Sequence, residues 1–182
     1  GDVAAAAKRA GARALRVDAP CASGTERVAR AVARLPEPPA VVINVQGDEP
    51  FLDAALLPRL VAAVRQGAPV ATAAAPCPAE ALADRAAVKV VCDQRGHALY
   101  FSRAAIPGRL HLGLYAFRAD ALPTLAALPR GPLAAAEDLE QLAWLEAGWP
   151  IAVIDAPRAS LSIDTPADLV QAQLIIADED PK

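Results

Sequence analysis

Apolar and polar positions change rhythm repeatedly along this chain. DVAAAAKRAG (2–11) reads as a helix stopped at Gly11, and TERVARAVARL (25–35) as an amphipathic helix with Val28, Ala31, Val32 and Leu35 on one face. Between them ALRV (14–17) has the length and character of a short strand. AVVINV (40–45) is a continuous apolar run, the pattern of a strand covered on both faces. DAALLPRLVAAVRQG (53–67) returns to helical spacing, PVATAAA (69–75) and VKVVCD (88–93) are strand-like, and HALYFS (97–102) follows Gly96 as the second arm of a hairpin. LHLGLYAFR (110–118) alternates strictly: Leu110, Leu112 and Leu114 face one way, His111, Gly113 and Tyr115 the other. A long helix over 132–148, a strand over 151–156 and a last helix over 165–178 complete the series.

Alternating strands and helices with Gly and Pro between them predict an α/β sandwich around a largely parallel sheet. The 88–118 region looks antiparallel, so the sheet should be mixed. Ligands of such open sheets bind beyond the carboxyl ends of the strands. VVINVQGDEP (41–50) is such an end, where a buried strand stops on two carboxylates.

Composition narrows the function without naming it. The 182 residues fit one domain, 1–182, with a sizeable core; hydrophobic residues make up 54% of the sequence, many of them Ala. A net charge of −3 gives no support for a nucleic-acid or membrane partner, and no apolar run approaches a membrane span. Cys21, Cys77 and Cys92 are far apart and form no metal or disulfide pattern, as in a protein of the reducing cytoplasm. Met is absent and position 1 is Gly, which points to a piece of a longer protein with its beginning missing.

The candidate chemistry is acidic and polar. Asp48 follows the 40–45 strand, and Asp164 precedes a helix start. Thr165, Pro166 and Asp168 form a capping-box pattern that does not need Asp164. Two carboxylates from separate loops at one sheet edge can hold Mg²⁺ and leave sites for phosphate oxygens and water. SGTER (23–27) is equally a cap and a helix N-terminus open to a polar ligand. His111 and Tyr115 share a strand face; Glu137, Glu140, Gln141 and Trp144 fall on one helical stripe; Lys89 is a charge inside a strand, either snorkelling or facing a ligand. No HExxH, Walker loop, GxGxxG or GxSxG motif is present, so an enzyme nucleophile is not indicated.

Taken in order, VVINVQGDEPFLD, SGTER, VKVV, ALYFSRAAIP, HLGLYAFR, EDLEQLAWLEAG and IDTPADL resemble the 3-deoxy-manno-octulosonate (Kdo) cytidylyltransferases over nearly the whole chain. The resemblance implies a three-layer α/β/α sandwich of the nucleotide-diphospho-sugar transferase type, with a mixed, mostly parallel sheet. It implies transfer of CMP from CTP to Kdo, releasing pyrophosphate, in lipopolysaccharide biosynthesis. Asp48 and Asp164 match the Mg²⁺-binding, catalytic aspartates. Ser23, Gly24 and Thr25 match the segment beside the cytidine of CTP. Gln46, Arg103, His111, Tyr115, Glu140 and Gln141 match positions lining the sugar-acid pocket, and Lys89 matches a lysine near the site. A cytoplasmic enzyme follows, with a homodimer left open.

The sequence also departs from that pattern. The family starts with a strand and a basic loop around the triphosphate, and this sequence starts at what matches the second helix. The expectation is an N-terminally truncated domain that binds CTP poorly and turns over slowly or not at all. Pro20 and Cys21 stand where the family has an Asp-His pair, only Gly108, Arg109 and Leu110 separate AAIP from HLGLY, and Ser162 replaces a Gly. Two alternatives follow: a cytidylyltransferase for another sugar acid, of the sialic-acid type, or a non-catalytic chain that binds nucleotide.

Overall fold

The computed structural model describes residues 2–163 and 165–179. The elements are α1 (Asp2–Arg9), α2 (Gly24–Val32), β1 (Val41–Asn44), α3 (Leu56–Arg65), β2 (Val70–Ala75), α4 (Ala79–Leu82) and β3 (Lys89–Cys92). Then come β4 (Ala98–Ser102), β5 (Arg109–Arg118), α5 (Leu122–Ala126), α6 (Pro132–Glu137), α7 (Glu140–Glu146), β6 (Ile151–Asp155) and α8 (Pro166–Glu179). None of the described helices is long and apolar enough to cross a membrane.

Two predicted elements differ. Residues 14–17 form no strand: Leu15 is exposed, and the carbonyls of Arg16 and Val17 are taken by the side chains of Arg34 and Arg27 rather than by a ladder. The single helix over 132–148 is two helices, broken where Asp138 takes the left-handed conformation (φ 54°, ψ 49°). Elsewhere local signals act as read. Gly11 and Gly96 supply the positive φ that ends α1 and turns the β3–β4 hairpin. Thr165 and Asp168 close the capping box of α8: the Asp168 amide donates to Thr165 Oγ1 and the Thr165 amide to Asp168 Oδ2.

The six strands form one mixed sheet in the order β4-β3-β5-β2-β6, with β1 also on β5. The expectation of a mostly parallel sheet needs correction. Among the described residues only β2–β6 is a parallel ladder; β1–β5, β2–β5, β3–β4 and β3–β5 are antiparallel. Four strands (β1, β2, β3 and β6) do point the same way, but the reversed β5 stands between them, so strands of common direction seldom touch.

β5 organises the site. Tyr115, Ala116 and Phe117 pair with β1 on one edge and β2 on the other, while Leu110 pairs with Lys89 of β3 and Ala75 of β2. β1 and β3 therefore lie end to end on one edge of β5. Between them, beyond the bond from the His111 amide to the Val88 carbonyl, no strand among the described residues pairs with that edge at 112–114. On the other edge the register jumps between Thr72 and Ala73, leaving Gly113 and Leu114 of β5 without backbone ladder partners in β2. A bulge opposite an open edge makes a gap in the sheet at the carboxyl end of β1.

Alternate residues of β5 feed two cores. Tyr115 and Phe117 pack with Val42, Leu122, Leu125, Leu142 and Trp144, beneath α2, α5, α6 and α7. Leu112, Leu114 and Ala116 pack with Leu56, Leu60 and Val64 of α3 on the opposite face. These are the two helical layers of the expected sandwich.

Candidate active site

The gap in the sheet opens into a cavity of about 460 Å³ whose lining includes Gln46, Asp48, Glu49, Arg103, His111 and Gly113. A smaller recess of about 210 Å³ lies beside Ser23, Glu140 and Trp144. Gly24, at the start of α2, connects the two regions: a Cβ there would come 3.7 Å from Gln46 Nε2 and 4.0 Å from Asn44 Nδ2.

The residues matched to nucleotide and sugar meet at Glu140. Its carboxylate accepts from Ser23 Oγ at 2.5 Å and from Thr25 Oγ1 at 2.9 Å, although it lies more than a hundred positions away. Ser23 also caps α2, accepting the Glu26 amide at 3.1 Å, as the capping reading of SGTER expects. The break at Asp138 starts α7 at Glu140 and aims this carboxylate at α2. Gln141, next on α7, is buried.

His111 is held in one protonation state. Thr72 Oγ1 has one proton and lies 2.7 Å from the Leu114 carbonyl, which the bulge leaves to it, and 3.0 Å from His111 Nε2. With the hydroxyl proton given to Leu114, His111 Nε2 must carry a hydrogen and donate to Thr72. Burial pushes the imidazole pKa down to about 3, so the ring is neutral and its Nδ1 is an acceptor. Tyr115 packs at 5.4 Å from the His111 ring and 5.2 Å from that of Trp144, well inside the core rather than on the larger cavity. Burial, then the Glu140 charge, raises its pKa.

Arg103 and Lys89 line or back the cavity as braces. Arg103 Nε donates to the Glu137 carbonyl at 3.1 Å and its Nη1 to the carbonyls of Arg85 and Ala86. Lys89 neither snorkels nor faces a ligand: it is fully buried, and its Nζ donates to the carbonyls of Asp84, Ala87 and Arg103. Glu137 was not expected in the site, because its helical stripe reads as a solvated face. Its carboxylate accepts from Ser102 Oγ at 2.6 Å and the Arg103 amide at 2.9 Å, and those two bonds, the hydroxyl first, lower its pKa. Thr72 was also missed; a lone hydroxyl inside VATAAA was the available signal.

Asp48 lines the cavity with no hydrogen bond or ion pair to its carboxylate among the described residues. Neighbouring Glu49 accepts from Ser160 Oγ at 2.6 Å. Asp164 lies outside the described residues. The Asp48 carboxylate is an oxygen donor with no cationic side chain paired to it among the described residues, which suits a hard cation such as Mg²⁺. No cluster of three His, Cys, Asp or Glu able to hold a metal occurs among the described residues.

A family model described as cytidylyltransferase matches residues 2–155. The 3-deoxy-manno-octulosonate cytidylyltransferase of Anaeromyxobacter sp. (strain Fw109-5) is 45% identical, over 96% of this chain and 75% of that protein. The chain belongs to the 3-deoxy-manno-octulosonate cytidylyltransferase family. A relative from Synechococcus elongatus carries the same name at 44% identity, over 92% of this chain and 73% of its own. Within this cytidylyltransferase family the fold can be compared directly. A solved CMP:2-keto-3-deoxy-manno-octonic acid synthetase complexed with CTP superposes with a TM-score of 0.87 at 34% identity, covering 98% of this chain and 78% of that one. A structure assigned as a glucose-1-phosphate thymidylyltransferase from Bacillus anthracis shares the fold alone, with a TM-score of 0.68 at 13% identity, over 100% of this chain and 73% of that one.

Proposed function

We propose that this cytidylyltransferase activates Kdo, converting CTP and Kdo to CMP-Kdo and pyrophosphate. The observation that carries the reading is the meeting of both residue sets at one place: Ser23 and Thr25 on Glu140, and Gly24 beside Gln46 at the edge of the larger cavity. A nucleotide along α2 and a sugar acid in the cavity would be neighbours.

The substrate's anomeric hydroxyl oxygen forms a bond to the α-phosphorus, the bond to the bridging oxygen breaks, pyrophosphate leaves and the hydroxyl proton is released. No enzyme nucleophile is needed; the chain must align two anions. Asp48 and Asp164 would hold Mg²⁺, which supplies neutralisation of phosphate charge and a more acidic hydroxyl. The support on this chain is that the Ile163 amide, adjoining Asp164 in sequence, donates to the Asp48 carbonyl at 2.8 Å. His111, as a neutral acceptor, takes a hydroxyl of the sugar rather than its carboxylate. Gln46 and Gln141 have amide donors for the sugar carboxylate and hydroxyls.

Pyrophosphate release with CTP and a panel of sugar acids tests the reading. Kdo should be turned over and sialic acid should not, and Asp48→Asn should lower kcat by about 100-fold or more. Preference for sialic acid would replace the substrate. Saturable CTP binding by calorimetry without turnover of any sugar acid would favour a non-catalytic nucleotide-binding chain.

A further inference from the structure

The segment 84–87 is held in an unusual way. Its four successive carbonyls all point to two cationic side chains: those of Asp84 and Ala87 to Lys89, those of Arg85 and Ala86 to Arg103. Lys89 Nζ also takes the carbonyl of Arg103 itself, at 3.2 Å, and so joins the segment to the end of β4. A fully buried ammonium with no ion pair to a carboxylate among the described residues is stable only if dipoles replace its water, and three carbonyls use all three of its donors. Asp84 adds a turn of its own, its Oδ1 accepting the Ala86 amide at 2.8 Å. The chain between β4 and β5 passes close behind, where a Cβ on Gly108 would come 2.8 Å from the Val90 carbonyl and 3.5 Å from Lys89 Cβ.

What Lys89 fixes is the cavity lining rather than the core: Asp84, Ala86, Ala87, Val88 and Arg103 all border the larger cavity with His111. Ser23 and Thr25, the residues matched to the nucleotide, are held by a different group, the Glu140 carboxylate, which Lys89 does not touch. We propose that Lys89 is a positioning residue for the sugar acid, setting the wall against which that substrate lies by gathering the carbonyls of 84, 87 and 103. This rests on the sugar-acid reading of the cavity. It predicts a split that general weakening of the fold would not give.

Lys89→Met removes all three donors at similar shape, and Lys89→Gln keeps two. At a temperature well below unfolding, Lys89→Met should raise KM for Kdo by about 10-fold or more and leave KM for CTP within about twofold, with Lys89→Gln between. An unchanged KM for Kdo, or both KM values and kcat moving together with Tm, overturns the proposal. If Lys89→Met does not fold, Lys89→Gln decides by the same criterion. Hydrogen exchange supplies a reading that needs no turnover: amides of 85–88 should exchange faster in Lys89→Gln than in the wild type, those of α2 at the same rate. Equal exchange in 85–88 overturns the positioning role. A wild-type chain that does not turn over Kdo defeats the function reading instead, and the exchange result then decides the role of Lys89 in holding the wall.

Discussion

At the scale of single side chains, the Thr72–His111 pair determines what the cavity can recognise. Because the imidazole is neutral with its Nε2 hydrogen committed, binding through His111 should not titrate across the pH range where an ordinary histidine does. The stability consequence has a definite sign. The folded pKa, about 3, lies below the unfolded value of 6.5, so this contribution is complete above 6.5 and is lost as pH falls toward the folded value. The slope for one such group is about 1.4 kcal/mol per pH unit. Urea denaturation of wild type and His111→Gln between pH 6.5 and 5 should therefore show the steeper loss in the wild type. Carboxylates such as Glu137, whose stabilisation is lost only at lower pH, contribute little in that window. Thr72→Val should cost about 1–3 kcal/mol in the same assay, since the Leu114 carbonyl loses its donor. Residue types at this scale were legible where local sequence explains them: Ser23 as a cap and Asp48 after a strand. The protonation of His111 was not, because it depends on a hydroxyl from another strand and on a bulge.

At the scale of elements, the joint between α6 and α7 directs two acids to different tasks. Glu137, before the break, serves Ser102 and Arg103; Glu140, after it, serves Ser23 and Thr25. One continuous helix would have put both on a single stripe, which is how the spacing alone reads. Asp138 takes the left-handed conformation that makes the turn, so Asp138→Gly should leave stability near wild type while Asp138→Val costs about 1–2 kcal/mol by thermal or urea unfolding. Glu146 closes the start of α6 by accepting the amides of Leu133 and Ala134 at 3.0 and 3.1 Å. Glu146→Ala should lose about 1 kcal/mol, read as a lower midpoint in urea. Helix ends and the 88–102 hairpin were readable from Gly, Pro and capping residues, whose effects are local. The 14–17 run was misread because a strand exists only with a neighbour, and its carbonyls are served by arginines.

At the scale of the whole molecule, periodicity gave the two helical layers but not the sheet order. Alternation in 110–118 shows that both faces of that strand are used, and nothing in it tells which strands flank it. The gap between β1 and β3 that becomes the cavity is a property of that order, so candidate polar residues could be picked out by sequence resemblance while their arrangement could not be read. The central place of β5 has a further consequence during synthesis. β1 and β2 have no ladder with each other; both wait for β5, which emerges far behind them. At translation rates of about 5–20 residues per second, β1 leaves the ribosome several seconds ahead of its partner. Over that interval Val41–Asn44 and Val70–Ala75 are bare apolar segments, so nascent chains stalled before residue 109 should be sticky and held by chaperones, and release should coincide with the appearance of residue 118.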